Sequence, residues 1–294
     1  MSKVAKWVGG ALAVVVGVPL ALFGFFWVRG GAFLAAVHEV PAEPLVLPAD
    51  ATTLSRGAHL AAVYCGDCHA DDFGGKMMIE DAAFAMLPAP NLTRGLGGVA
   101  GQLDTAGWVR AVRHGVGADG RALFIMPSEY YVNFSREDLA ALVAHLAQLP
   151  PVDRELPARR FGPVGRTLAG AGPLRGGFPV LRIDHTAPFP EAPPAAATAE
   201  YGGYLARTFG CAACHGENLA GGPTQGAPEI PSPNLTPGDA LGSWSEADFV
   251  DQARTREGEH MPWPALAKMT DEELQALWRF LASLPAQPTN PSPA

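Results

Sequence analysis

Charge is scarce in this chain: only 17% of its 294 residues are charged, and 21 Lys and Arg are outnumbered by 29 Asp and Glu. The formal charge of −8 repels nucleic-acid phosphate, so no nucleic acid is expected as a partner. Aromatic residues are also few, at 9%, whereas Gly and Pro number 34 and 28. Regular elements must therefore be separated by much irregular chain, which argues against a large β-rich barrel. A hydrophobic fraction of 48% excludes disorder as a whole, and the length suits one large domain or two small ones.

Charge is missing altogether from Trp7 to Val28, and these 22 residues match the roughly 20 that cross a hydrocarbon core as a helix. A cleavable signal peptide is the alternative, with Leu34-Ala35-Ala36-Val37 as a weak cleavage site. Lys3 and Lys6 before the span, against Arg29 alone close behind it, put the N-terminus in the cytoplasm and everything after the span outside. Without the two lysines of residues 1–28, the exported part carries 19 basic and 29 acidic side chains, a formal charge of −10 that favours basic partners.

Cysteine is limited to four residues, all in two copies of one pattern: Cys65-Gly-Asp-Cys68-His69 and Cys211-Ala-Ala-Cys214-His215. Two disulfides, a thioredoxin-like pair or one four-thiolate zinc site would each leave both histidines as coincidence. CxxCH is the c-type haem attachment signature. Two thiols one helical turn apart reach the two vinyl groups of one porphyrin, and the adjoining imidazole reaches the iron. Two covalently bound haem c groups are expected.

The copies lie 146 residues apart and the likeness continues beyond them. Pro90-Asn91-Leu92-Thr93 recurs as Pro233-Asn234-Leu235-Thr236, and Met126-Pro127 as Met261-Pro262. Ser135 with Asp138, and Thr270 with Glu273, read as capping-box starts of two helices. Their apolar faces match: Leu139, Leu142, Val143, Leu146 and Leu149 against Leu274, Leu277, Trp278, Leu281 and Leu284. Shorter helices are expected ahead of the cysteines, at Leu54–Tyr64 and Ala199–Phe209. Each has a Gly eight residues before its first cysteine, while Leu60 and Leu205 are out of step by one position. The expected organisation is an anchor (1–28), a linker (29–53), domain 1 (54–152), a Pro/Gly-rich surface linker (153–198), domain 2 (199–286) and a frayed tail (287–294).

A haem with one His ligand is five-coordinate, and its sixth ligand decides between electron transfer and small-molecule chemistry. Met126 and Met261 occupy matching places and are the expected ligands, opposite His69 and His215. His260 and His114 are the competitors; Met77, Met78, Met86 and Met269 are read as packing, and His38, His59, His145 and His185 as surface or packing residues. Asn91, Thr93, Asn234 and Thr236 either hold a haem propionate or form a turn. Their Asn-x-Thr pattern as a glycosylation site would leave the repeat unexplained.

These motifs, in the same order twice over residues 54–286, resemble the membrane-anchored dihaem cytochromes c, and more narrowly the cytochrome c subunits of membrane-bound dehydrogenases. The resemblance implies an all-α fold, with two tandem cytochrome c domains after an N-terminal transmembrane helix, on the periplasmic side of a bacterial inner membrane. It also implies electron transfer from a dehydrogenase or quinol-oxidising partner towards a terminal oxidase. Such subunits often carry three haems, and this chain has two attachment motifs. The alternative class is a dihaem enzyme such as a peroxidase, which needs an exchangeable iron site and nearby acid–base groups. A thiosulfate-oxidising enzyme with a Cys axial ligand is excluded, because no cysteine is spare.

Overall fold

A computed structural model describes residues 3–41, 43–224, 227–258 and 260–291. Helix α1, Lys3–Ala35, is uninterrupted and mostly exposed along its apolar length. It continues past Val28, so the linker expected from residue 29 begins as helix.

Domain 1 holds α2 (Ala51–Tyr64), α3 (Gly66–His69), strands β1 (Lys76–Asp81) and β2 (Ala85–Ala89), α4 (Thr105–His114), α5 (Ser128–Tyr131) and α6 (Arg136–Leu146). Between the domains run β3 (Arg160–Phe161) and α7 (Pro163–Ala171). Domain 2 repeats the plan with α8 (Ala199–Phe209), α9 (Ala212–His215), β4 (Gly222–Thr224), β5 (Ala227–Ser232), α10 (Glu246–Thr255), α11 (Trp263–Leu266) and α12 (Asp271–Ser283). The expected all-α fold is corrected in one respect: β1, β2 and β3 form an antiparallel sheet and β4 pairs with β5. Strands this short, broken by Pro88, Pro223 and Pro231, leave too little alternation to be read from sequence.

Each domain is organised around one helix crossing. Leu139, Leu142, Val143 and Leu146 of α6 pack with Leu60 and Ala61 of α2, and Leu274 and Leu277 of α12 pack with Tyr201 and Leu205 of α8. Burying each such aliphatic side chain contributes about 1.5–3 kcal/mol before chain entropy is subtracted. Glycine permits the close approach: a Cβ on Gly57 would lie 2.0 Å from the Ala141 carbonyl oxygen, and one on Gly202 would lie 1.9 Å from that of Ala276. Counting back from the cysteines pairs Gly57 with Gly203. The structure pairs Gly57 with Gly202 and Leu60 with Leu205, and the offset comes from one extra residue, Gly210, which closes α8 in the left-handed region at φ +76°.

The segment 153–198 is more structured than a surface linker. Arg160 and Phe161 pair with Met86 and Ala85, and α7 docks on the last turns of α1. The approach of α7 depends on Gly30 and Gly170, whose Cβ positions would lie 1.9 and 2.0 Å from the carbonyl oxygens of Arg166 and Phe26. The expected tail is likewise held as far as Asn290, whose side chain donates to the Gly221 carbonyl at 2.7 Å. The residues beyond 291 lie outside the described residues.

The domains meet along α2 and α8. Arg56 donates to Asp138 at 3.0 Å, to Glu273 at 2.9 Å and to the Tyr201 hydroxyl at 3.0 Å, and His59 bonds Glu273 at 2.7 Å. The Tyr204 hydroxyl donates to Asp138 at 2.8 Å and accepts from the Ser135 N–H at 3.1 Å. Thr270 and Glu273 form the expected capping box, but Ser135 forms only half of one, because Asp138 is turned to Arg56 and Tyr204. Tyr64 bonds Thr208 at 2.8 Å and meets the ring of Phe209 edge-on. His59 therefore belongs to a domain interface, a role that its sequence neighbours do not announce.

Candidate haem sites

Both attachment motifs form a single tight turn. In α3 the N–H of His69 bonds the Cys65 carbonyl at 2.9 Å, and in α9 that of His215 bonds the Cys211 carbonyl at 3.0 Å. Cys65, Cys68, Cys211 and Cys214 are all free. Burial pushes the Cys65 and Cys211 thiols up to about 12, each raised further by its neighbour, so neither is a poised redox thiolate.

His69 and His215 are oriented alike. Nδ1 of His69 lies 2.8 Å from the Pro90 carbonyl oxygen, and Nδ1 of His215 lies 2.8 Å from that of Pro233. A carbonyl can only accept, so Nδ1 carries the proton and Nε2 keeps its lone pair for a metal. Burial lowers both imidazole pKa values, outweighing the opposite effect of the proline carbonyls, and so keeps the rings neutral, as ligation requires.

Pro90 and Pro233 are the site residues that sequence reading missed, since it assigned their segments to Asn and Thr. Their place depends on two glycines. Gly75 at φ +81° and Gly221 at φ +67° donate to the His69 and His215 carbonyls at 2.8 Å and lie against the Pro90 and Pro233 backbone, which a Cβ would approach at 2.7 and 2.5 Å.

Asn91 and Thr93 are buried and turned inward. Asn91 Oδ1 accepts from the Thr93 N–H at 2.9 Å, while its amide donates to the Val152 carbonyl at 2.7 Å. Asn234 and Thr236 repeat this, with the Asn234 amide on the Gln287 carbonyl at 2.9 Å. Of the two roles expected for these four residues, the structure displays turn formation, tying each loop to the chain that leaves α6 or α12.

Met126 packs against the apolar cluster of domain 1 and Met261 against that of domain 2, each just ahead of a short helix, α5 or α11. His260 is exposed beside Met261. His114 is fully buried and committed elsewhere, with Nδ1 at 3.0 Å from His185 and Nε2 at 3.2 Å from Glu43. His145 lies beside Phe73, and Met269 is buried core. A free cysteine pair in one turn, an imidazole with Nε2 unengaged among the described residues and a thioether on the same core together fit a covalent haem c in each domain.

Comparison with known proteins agrees with this geometry. Residues 199–285 match the family described as Cytochrome c, and residues 52–146 match Cytochrome C oxidase, cbb3-type, subunit III. The chain is 28% identical to a nicotinate dehydrogenase subunit of Pseudomonas putida over an alignment covering 98% of this chain and 25% of that protein. It is 27% identical to the fructose dehydrogenase cytochrome subunit of Gluconobacter japonicus, covering 85% of this chain and 56% of the relative. It is 28% identical to the cytochrome c subunit of the quinone alcohol dehydrogenase of Gluconacetobacter polyoxogenes, covering 82% and 58%. The chain thus spans a quarter of the first relative and little over half of the other two.

Proposed function

We propose that this chain, a protein of two cytochrome c domains behind an apolar helix, is the membrane-anchored dihaem cytochrome subunit of a membrane-bound dehydrogenase. It takes electrons from that dehydrogenase or a quinol-oxidising partner and passes them towards a terminal acceptor. The observation that carries the reading is the duplicated donor set: a CxxCH turn, a histidine held through Nδ1 by a proline carbonyl, and a methionine on the same core.

Bound haem supplies a one-electron iron couple. Cys65 and Cys68, and Cys211 and Cys214, would anchor its two copies through their thiols, and His69 with Met126 and His215 with Met261 would supply the nitrogen and sulfur that hold the iron. With iron held by protein side chains alone, the chain would contribute placement and exclusion of water rather than bond chemistry. The Pro90 and Pro233 carbonyls keep each imidazole in one tautomer and one orientation. The Arg56, Asp138 and Glu273 contacts hold the domains in one register. Helix α1 fastens the protein to the membrane, with both domains on the periplasmic side.

The relatives' names carry three different substrates, nicotinate, fructose and alcohol, and two of them name a cytochrome subunit, so the cytochrome role rather than any one substrate supports the reading. Purification from gently solubilised native membranes tests the reading: a dehydrogenase subunit should accompany the chain, and intact mass should show two haems. Replacing Cys65 and Cys68 by Ser should remove one haem and leave the other. One haem or none in the parent sinks the dihaem assignment. Peroxide turnover with both methionines intact would favour the dihaem enzyme instead.

A further inference from the structure

A cavity of about 210 Å³ lies where α1 leaves its apolar span, between the last turn of α1, β3 and the start of α7. Four arginines line it, Arg121, Arg159, Arg160 and Arg166, and no carboxylate does. We propose that this cavity binds the phosphate of an anionic phospholipid in the leaflet where α1 ends.

The uncharged stretch from Trp7 to Val28 covers about 33 Å at 1.5 Å per residue, the thickness of a hydrocarbon core. Gly31, Leu34 and Ala35, which line the cavity, therefore stand in the headgroup layer. Phe33, Phe161 and Phe178 add an apolar wall, and α1 exposes Phe25 and Val28 in the turns just before the cavity. Such a wall suits the glycerol and upper acyl region of a lipid and has no use for a free anion.

The protein carries more acids than bases, yet Arg159, Arg160 and Arg166 make no ion pair among the described residues, and Arg121 has only a 3.9 Å contact with exposed Asp119. Elsewhere Arg56, Arg154, Arg254 and Arg279 all face carboxylates within 3.1 Å. Arg159 spends one N–H on the Ala122 carbonyl at 2.7 Å, and Arg166 spends its Nε on the Trp27 carbonyl at 2.9 Å while stacking on that ring. Their other N–H groups are free to grip phosphate oxygens, the geometry for which a guanidinium fork is suited. Burial lowers the Arg159 pKa, and neighbouring Arg121 lowers it further against the pull of Asp119, so an incoming anion is favoured.

The test uses the full chain in neutral detergent, titrated with dioleoyl phosphatidylglycerol or dioleoyl phosphatidylcholine and read by native mass spectrometry. One phosphatidylglycerol per chain should be retained at least tenfold more tightly than phosphatidylcholine. The pair Arg121→Gln with Arg160→Gln, two exposed side chains without hydrogen bonds to lose, should weaken it at least tenfold, and Arg159→Gln should do the same. Arg207→Gln in domain 2 should change nothing. Equal retention of the two lipids, or retention unaffected by the double substitution, overturns the proposal. Displacement of the lipid by equimolar inorganic phosphate would make this a free-anion site. Unchanged lipid binding with loss of a co-purifying subunit would make it a protein-docking surface; either result sinks the lipid assignment.

Discussion

Replacing Glu273 by Gln removes the charge through which domain 2 holds Arg56 and His59 of domain 1, while keeping its shape. Burial alone would raise the pKa of this carboxyl, but hydrogen bonds from His59, the Thr270 N–H and Arg56 outweigh it and bring the pKa from 4.5 down to about 2. At 1.36 kcal/mol per unit, that difference corresponds to roughly 3 kcal/mol of folded-state stability. Because the folded pKa is depressed, the contribution is complete above pH 4.5 and is lost as pH falls towards 2. The variant should therefore melt lower at pH 6 by roughly 6–12 °C, taking about 2–4 °C per kcal/mol for a domain pair of this size. By pH 3 that gap should shrink by more than half. Thermal melting of the full chain in detergent, followed by far-UV circular dichroism at both pH values, measures it. A gap under about 2 °C at pH 6, or one that does not depend on pH, would refute the argument that this carboxylate is held ionised by the interface.

Met126→Ala or Met261→Ala should leave both haems attached but open one iron to carbon monoxide and lower its potential; no new carbon monoxide binding would show that the sixth ligand lies elsewhere. Gly57→Ala or Gly202→Ala must push apart a pair of helices whose carbonyls lie 2.0 and 1.9 Å from the new methyl, and should cost about 1–3 kcal/mol in unfolding experiments. A loss below about 0.5 kcal/mol would mean that the crossing tolerates a side chain. A chain truncated at Pro41 should aggregate, because α7 loses its cover on α1, whereas one starting at Phe23 should not; equal behaviour in size-exclusion chromatography would contradict the packing. Electron exchange with a basic soluble cytochrome c should slow as salt is added, since the domains carry the acidic excess, and a stopped-flow rate that rises with ionic strength would refute electrostatic steering.

What the sequence determined by itself is what short-range chemistry dictates. The CxxCH spacing leaves both thiols and the imidazole on one turn, Ser135 and Thr270 start helices because their hydroxyls reach the N–H three residues on, and the leucine spacing of α6 and α12 marks the buried face. An uncharged run long enough for a bilayer is equally legible. The tertiary structure decided which distant groups meet. That the acceptor for each histidine is the Pro90 or Pro233 carbonyl, 21 or 18 residues away, depends on loops closed by Gly75 and Gly221, because a backbone carbonyl leaves no mark in composition. Asp138 matched a capping box locally, yet it serves Arg56 of its own domain and the Tyr204 hydroxyl of the other, because a guanidinium and a second donor bind a carboxylate more strongly than one N–H of its own helix. Residues 153–198, rich in proline, carried no periodic signal, but α7 packs on α1 where paired glycines bring two backbones together. Local pattern specifies an element and its buried face; only packing selects the partner for that face.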